Sequence, residues 1–71
     1  MIRTGIILSF NKLAGVGVLK DSNNQTIKYH AENDKLHLLK GDVVSFDIGF
    51  HNKRLIATNL KLLNRPIVGN I

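Results

Sequence analysis

Apolar and polar residues alternate with a period of two over much of this chain. "QTIKYH" sets Ile27 and Tyr29 on one face and Lys28 and His30 on the other. "VVSFDIGF" sets Val44, Phe46 and Ile48 against Ser45 and Asp47, the clearest half-buried strand in the sequence. Successive side chains of a strand point to opposite faces, so this period predicts strands. "GIILSF" is a short apolar run with β-branched residues, "GVGVLK" alternates glycine with valine, and "LIATNLKLL" supplies a fifth segment. One candidate helical turn lies near Leu36 to Leu39, inside the irregular stretch "AENDKLHLLKGD". Turn formers separate the segments: Asn11 and Lys12, then "DSNN", then Gly41-Asp42. "HNKR" reads as a polar turn of about four residues, a longer hairpin loop. Five short strands at this spacing predict a small all-β barrel or sandwich. A closed barrel leaves few unpaired edges, which suits so short a chain.

Seventy-one residues make one small domain. Folding at this size buries only roughly 60% of the unfolded chain's surface, so a thin core and a binding role are expected rather than a deep active site. The apolar share, 44%, argues against disorder. The absence of cysteine excludes disulfides and thiolate metal sites and fits a reducing cytoplasm, the expected location. No apolar run approaches the ~20 residues of a membrane span, so no membrane association is expected. "MIRTGIILSF" has no small-residue cleavage site after its apolar run and reads as a first strand, not an export signal. The excess of Lys and Arg gives a net charge of +5, a field that favours polyanions such as nucleic acid.

Catalytic chemistry has little support. His30, His37 and His51 lack zinc-ligand spacing, and Glu32 is the one carboxylate placed to join a histidine. Asp21, Asp34, Asp42 and Asp47 are scattered over turns and one strand, and Ser9, Ser22 and Ser45 have no visible base. No catalytic residue, metal or cofactor is predicted. Gly15-x-Gly17 lacks the third glycine, following helix and downstream acid of a dinucleotide fingerprint, and no Gly-Lys-Ser or Gly-Lys-Thr follows. It reads as tight strand curvature in a small barrel.

In order along the chain, "TGIILSFN", "KLAGVGVLK", "IKYH", "LLKGDVVSFDI" and "IATNL" resemble a cold-shock domain. The similarity runs from about Arg3 to Leu63 in one register, with a shorter loop around Ala31 to Leu38. Gly5, Ser9, Phe10 and Asn11 match the family's Gly-x-x-x-aromatic-Phe-Asn opening. Ala14 to Leu19 match its Lys-Gly-Phe-Gly-Phe-Ile motif, and Ile27 to His30 its Val-Phe-Val-His motif. Gly41, Val44 and Phe46 match Gly-x-x-Val-x-Phe, and Ala57, Asn59 and Leu60 match the closing Ala-x-Asn-Val. The resemblance implies a five-stranded antiparallel oligonucleotide-binding (OB) barrel over residues 1–63; beyond it Pro66 and Gly69 argue for an extended C-terminal tail, 64–71. It also implies binding of single-stranded RNA or DNA.

This chain departs from the family where rings would stack on bases. Val16 and Val18 replace the rings of the first motif, Ser9 an outward Trp, Lys28 an outward Phe, and Ala31 the aromatic after the His. Base–aromatic stacking is worth about 1–3 kcal/mol per base, so binding of this kind is expected to be weak, with little sequence preference. Phe10 and His30 remain as stacking candidates, and Tyr29 takes an inward valine's place as a core ring. Lys12, Lys20 and Lys28 are expected on or near one face with Val16 and Val18, extended by Lys53 and Arg54, as phosphate contacts that give affinity without sequence choice. The alternative is a protein-interaction module. Ile6, Leu8, Val16 and Val18, if all outward, would form an aliphatic patch for self-association or a protein partner. A register slip of one residue would turn such side chains inward.

Overall fold

The computed structural model describes residues 3–30 and 37–66. It holds five strands: β1 (Arg3–Asn11), β2 (Val16–Asp21), β3 (Thr26–His30), β4 (Val43–His51) and β5 (Arg54–Asn64). They close into a barrel in the order β1-β2-β3-β5-β4, with β4 returning to β1. Of the expected helical turn, His37–Leu39 is not helical, and Leu36 lies outside the described residues, as do Ala31 and Glu32.

The expectation of an antiparallel sheet needs one correction. Four seams are antiparallel, but β3 and β5 run parallel, pairing Lys28 with Ile56 and Tyr29 with Ala57. The reason is one of parity: an odd number of strands in a closed ring cannot reverse direction at every step. A parallel neighbour also needs a long connection, and here β4 lies within it.

The interior is built from Ile7, Leu19, Ile27, Tyr29, Val44, Phe46 and Ala57, with Leu38, Ile48 and Leu60 packed partly against them. Alternation put Ile27, Tyr29, Val44 and Phe46 inside, and they are there. Ser45, assigned to the outer face, is also buried.

The turns follow from their polar residues. After β1, Asn11 Oδ1 accepts the N–H groups of Leu13 (3.1 Å) and Ala14 (3.2 Å). Gly15 then takes φ +67°, and its N–H donates to Asn11 O (2.9 Å). Gly15 is therefore a turn residue rather than a point of strand curvature. After β2, Asp21 Oδ1 accepts the N–H groups of Asn23 and Gln25, both at 2.9 Å. The "HNKR" loop is tighter than expected. His51 pairs with Arg54 across a two-residue turn in which Asn52 (φ 52°) and Lys53 (φ 64°) are both left-handed. Such turns match the twist of the strands they join.

The last strand runs through Asn64, so the expected tail begins inside it. Arg65 is anchored as well. Its Nε donates to Asp42 Oδ1 (3.0 Å), and one terminal nitrogen donates to Asp42 Oδ2 (2.9 Å) and His37 O (2.8 Å). Asp42 is buried and its Oδ2 also accepts the Leu39 N–H at 2.8 Å. The hydrogen bonds from Arg65, with that from Leu39, hold the Asp42 carboxyl below the usual carboxylate range despite its burial. Residues 67–71 lie outside the described residues.

Candidate nucleic-acid interface

Gly17 is the key to the "GVG" stretch. It faces inward on β2, with Phe10 of β1 opposite on one side and Tyr29 of β3 on the other. A Cβ at position 17 would overlap Cζ, Oη and Cε1 of Tyr29. The missing side chain lets the two flanking rings lean together over the backbone. Phe10 and Tyr29 stack with centroids 6.2 Å apart and planes 10° from parallel. The room over Gly17 holds Tyr29. The Tyr29 hydroxyl is buried with no hydrogen-bond partner among the described residues. Burial, and secondarily the Asp42 charge, push its pKa above the ordinary tyrosine value.

A bulge decides where the first motif points. The β1–β2 register shifts between Ile7 and Ser9, leaving Leu8 as the extra residue. An extra residue switches the faces of everything after it. Ser9 therefore pairs with outward Val18, and Phe10 turns toward Gly17 and Tyr29. Phe10 keeps 39% of its surface at the barrel edge, with one face against Tyr29. It is separated from the outward valine face rather than being part of it.

The outer face of β2 and β3 carries the other expected residues. Val16 pairs with His30 and Val18 with Lys28, and all four alternate with buried neighbours. Lys28 and His30 are exposed, while the two valines are half-buried. Lys20 pairs with Thr26, which makes it a diagonal neighbour of Lys28 on the same face. Lys12 is exposed in the turn between β1 and β2, and Lys53 in the turn between β4 and β5. Of the aliphatic patch, Ile6 is 48% exposed and Leu8 is half-buried at the bulge.

Part of this set converges on one open groove of about 1130 Å³ beside the parallel β3–β5 seam. Lys28 and His30 reach it from β3, His51 and Arg54 from the β4–β5 hairpin, and Arg3 from β1. The rings of His30 and His51 lie 5.3 Å apart, tilted by 58°. No Asp or Glu is among the described lining residues. Phe10, Lys12, Val16, Val18, Lys20 and Lys53 lie outside its lining. Sequence reasoning missed Arg3 and His51. His51 could have been found from its place beside the cationic hairpin turn, but Arg3 gave no local signal. Among the described residues no three metal-ligating side chains gather, and no helix is long and apolar enough to cross a membrane.

Fold and groove together define a class: a small closed five-stranded β-barrel with the OB strand order and a cationic groove at its parallel seam. No known family model matches the chain, and no curated protein matches it.

Proposed function

We propose that this chain is a divergent cold-shock-like protein that binds single-stranded RNA or DNA weakly, with little sequence preference and mainly through phosphate contacts. One observation carries the reading: Arg3, Lys28 and Arg54 meet in one groove with two imidazoles and no described carboxylate on its lining. Such a groove follows a phosphate backbone without reading bases. The outward valines in place of the family's rings support low affinity. Lys20 and Lys12 extend the positive surface over β2 and its turn, and Lys53 over the hairpin. A reducing cytoplasm goes with this reading, on the support of the cysteine-free sequence.

The test is a titration of a labelled oligothymidine at several salt concentrations. Log K falls with log[salt], with a slope of about −0.7 for each phosphate neutralised. Lys28→Ala and Arg54→Ala each make the slope shallower by about that amount. No binding at low salt defeats the proposal. The protein-interaction alternative has less support, because Ile6 alone of its four residues is exposed and the other three are half-buried.

A further inference from the structure

The sheet has lost rings from β2 and β3, yet one ring stands out elsewhere. Phe50, near the tip of the β4–β5 hairpin, is 78% exposed. Of the other described rings, Tyr29 and Phe46 are buried, and Phe10 has a face against Tyr29. Phe50 pairs across the hairpin with Leu55, itself 53% exposed. Two residues back on the same strand face stands Ile48. Leu55 and Ile48 both line the cationic groove, so Phe50 lies at its margin, flanked on its own face by two groove residues. Lys53 and Arg54 sit at the adjacent turn.

We propose that Phe50 is a base-stacking platform: a single strand seated in the groove places a nucleobase on its ring. This rests on the nucleic-acid reading above. The chemistry selects that occupant. A nucleobase offers a flat apolar face joined to a phosphate, and the hairpin offers a flat apolar ring beside cations, with no described carboxylate lining the groove. An apolar protein surface matches the ring but not the charge. The platform is also preorganised, because the two-residue turn fixes the hairpin's register. Base contact has thus moved from the outer face of β2 and β3 to the edge of the β4–β5 hairpin.

The experiment compares two labelled probes at low salt: an oligothymidine of about 10 nucleotides, a length one such barrel can cover, and an abasic strand of equal length. Circular dichroism checks the fold of each variant. Phe50→Ala and Phe50→Leu lose roughly 5- to 150-fold in affinity for oligothymidine, the range set by one stacked base, while Phe50→Tyr retains it. All variants bind the abasic strand as the wild type does. The proposal is overturned if Phe50→Ala binds oligothymidine like the wild type. It is equally overturned if Phe50→Leu keeps full affinity, or if the abasic strand shows the same loss. A wild type that binds neither probe overturns the nucleic-acid reading together with this one, an outcome distinct from the other three. Self-association that depends on Phe50, with oligothymidine affinity unchanged in Phe50→Ala, also overturns it and assigns the ring to a protein contact.

Discussion

Gly17→Ala places a methyl group where the end of the Tyr29 ring now lies. The ring has no easy retreat. Tyr29 is 2% exposed, Phe10 covers one of its faces, and the closed barrel surrounds the rest. Carbon atoms settle at about 3.5–4.0 Å, so the ring must shift well out of its present position. Overpacking of this kind costs about 1–3 kcal/mol. Against it stands the ordinary gain of Gly→Ala at a position with unstrained backbone, about 0.4–1 kcal/mol. Shortening the ring separates the two effects. In a Tyr29→Val background the clash is gone, and Gly17→Ala becomes neutral or stabilising by about that smaller amount. The gain is present in both backgrounds, so the coupling energy between the two positions is that of the clash itself, roughly 1–3 kcal/mol. A domain of this size has a total stability of roughly 4–10 kcal/mol, so Gly17→Ala is visible as a lower urea midpoint at unchanged slope. The assay is urea unfolding of the wild type, both single variants and the double variant at one temperature. A Gly17→Ala as stable as the wild type, or additive effects in the double variant, would refute the reasoning that Gly17 exists to admit Tyr29.

Tyr29 is the chain's single tyrosine, so phenolate absorbance reads it alone. It titrates above its ordinary value of about 10, chiefly because of burial. A raised folded value means stability that is complete below the unfolded pKa and lost as pH rises through the folded one. Tyr29→Phe removes that alkaline limb and, by deleting a buried hydroxyl without a described partner, leaves stability at pH 7 unchanged or higher. For Asp42 the sign is opposite. Its lowered value gives stability that is complete above the unfolded carboxylate range, near 3.9, and lost as pH falls toward the folded value. Asp42→Asn is therefore less stable at neutral pH, with a flatter acid limb in thermal melts taken from pH 6 to 2. Lys53→Gly relieves a left-handed non-glycine residue and stabilises the hairpin by about 1 kcal/mol, read as a rise in melting temperature. A fall in melting temperature would contradict the turn geometry.

The alternation of Ile27 with Lys28 and of Val44 with Ser45 made the strands legible, because side-chain direction in a strand is a local property. The clusters "DSNN" and "HNKR" were legible as turns for the same reason, since their residues satisfy their own backbone or tolerate left-handed angles. Hairpin length was not, because a Lys at φ 64° reads from sequence as an ordinary loop residue. Gly15 and Gly17 looked like one motif. One serves a turn and the other a ring on a different strand, and only the second role depends on a distant partner.

The candidate site shows the same divide. Lys28, His30 and Arg54 were recognisable as outward or turn-borne cations and imidazole. Their meeting with Arg3 and His51 depends on barrel closure, which joins β3 to β5 across an intervening strand. Phe50 was hidden inside "VVSFDIGF", where its parity with Phe46 and Ile48 suggests burial. It is exposed because the hairpin tip lies beyond the core that covers Phe46.

The sequence alone settled an all-β chain, its strand segments, its turn positions and its positive charge, all of which are written in neighbouring residues. The tertiary structure decided the bulge at Leu8 that sends Phe10 toward Tyr29, the single parallel seam, and the gathering of cations from three parts of the chain. These depend on pairings between residues far apart in sequence, and no local period encodes them.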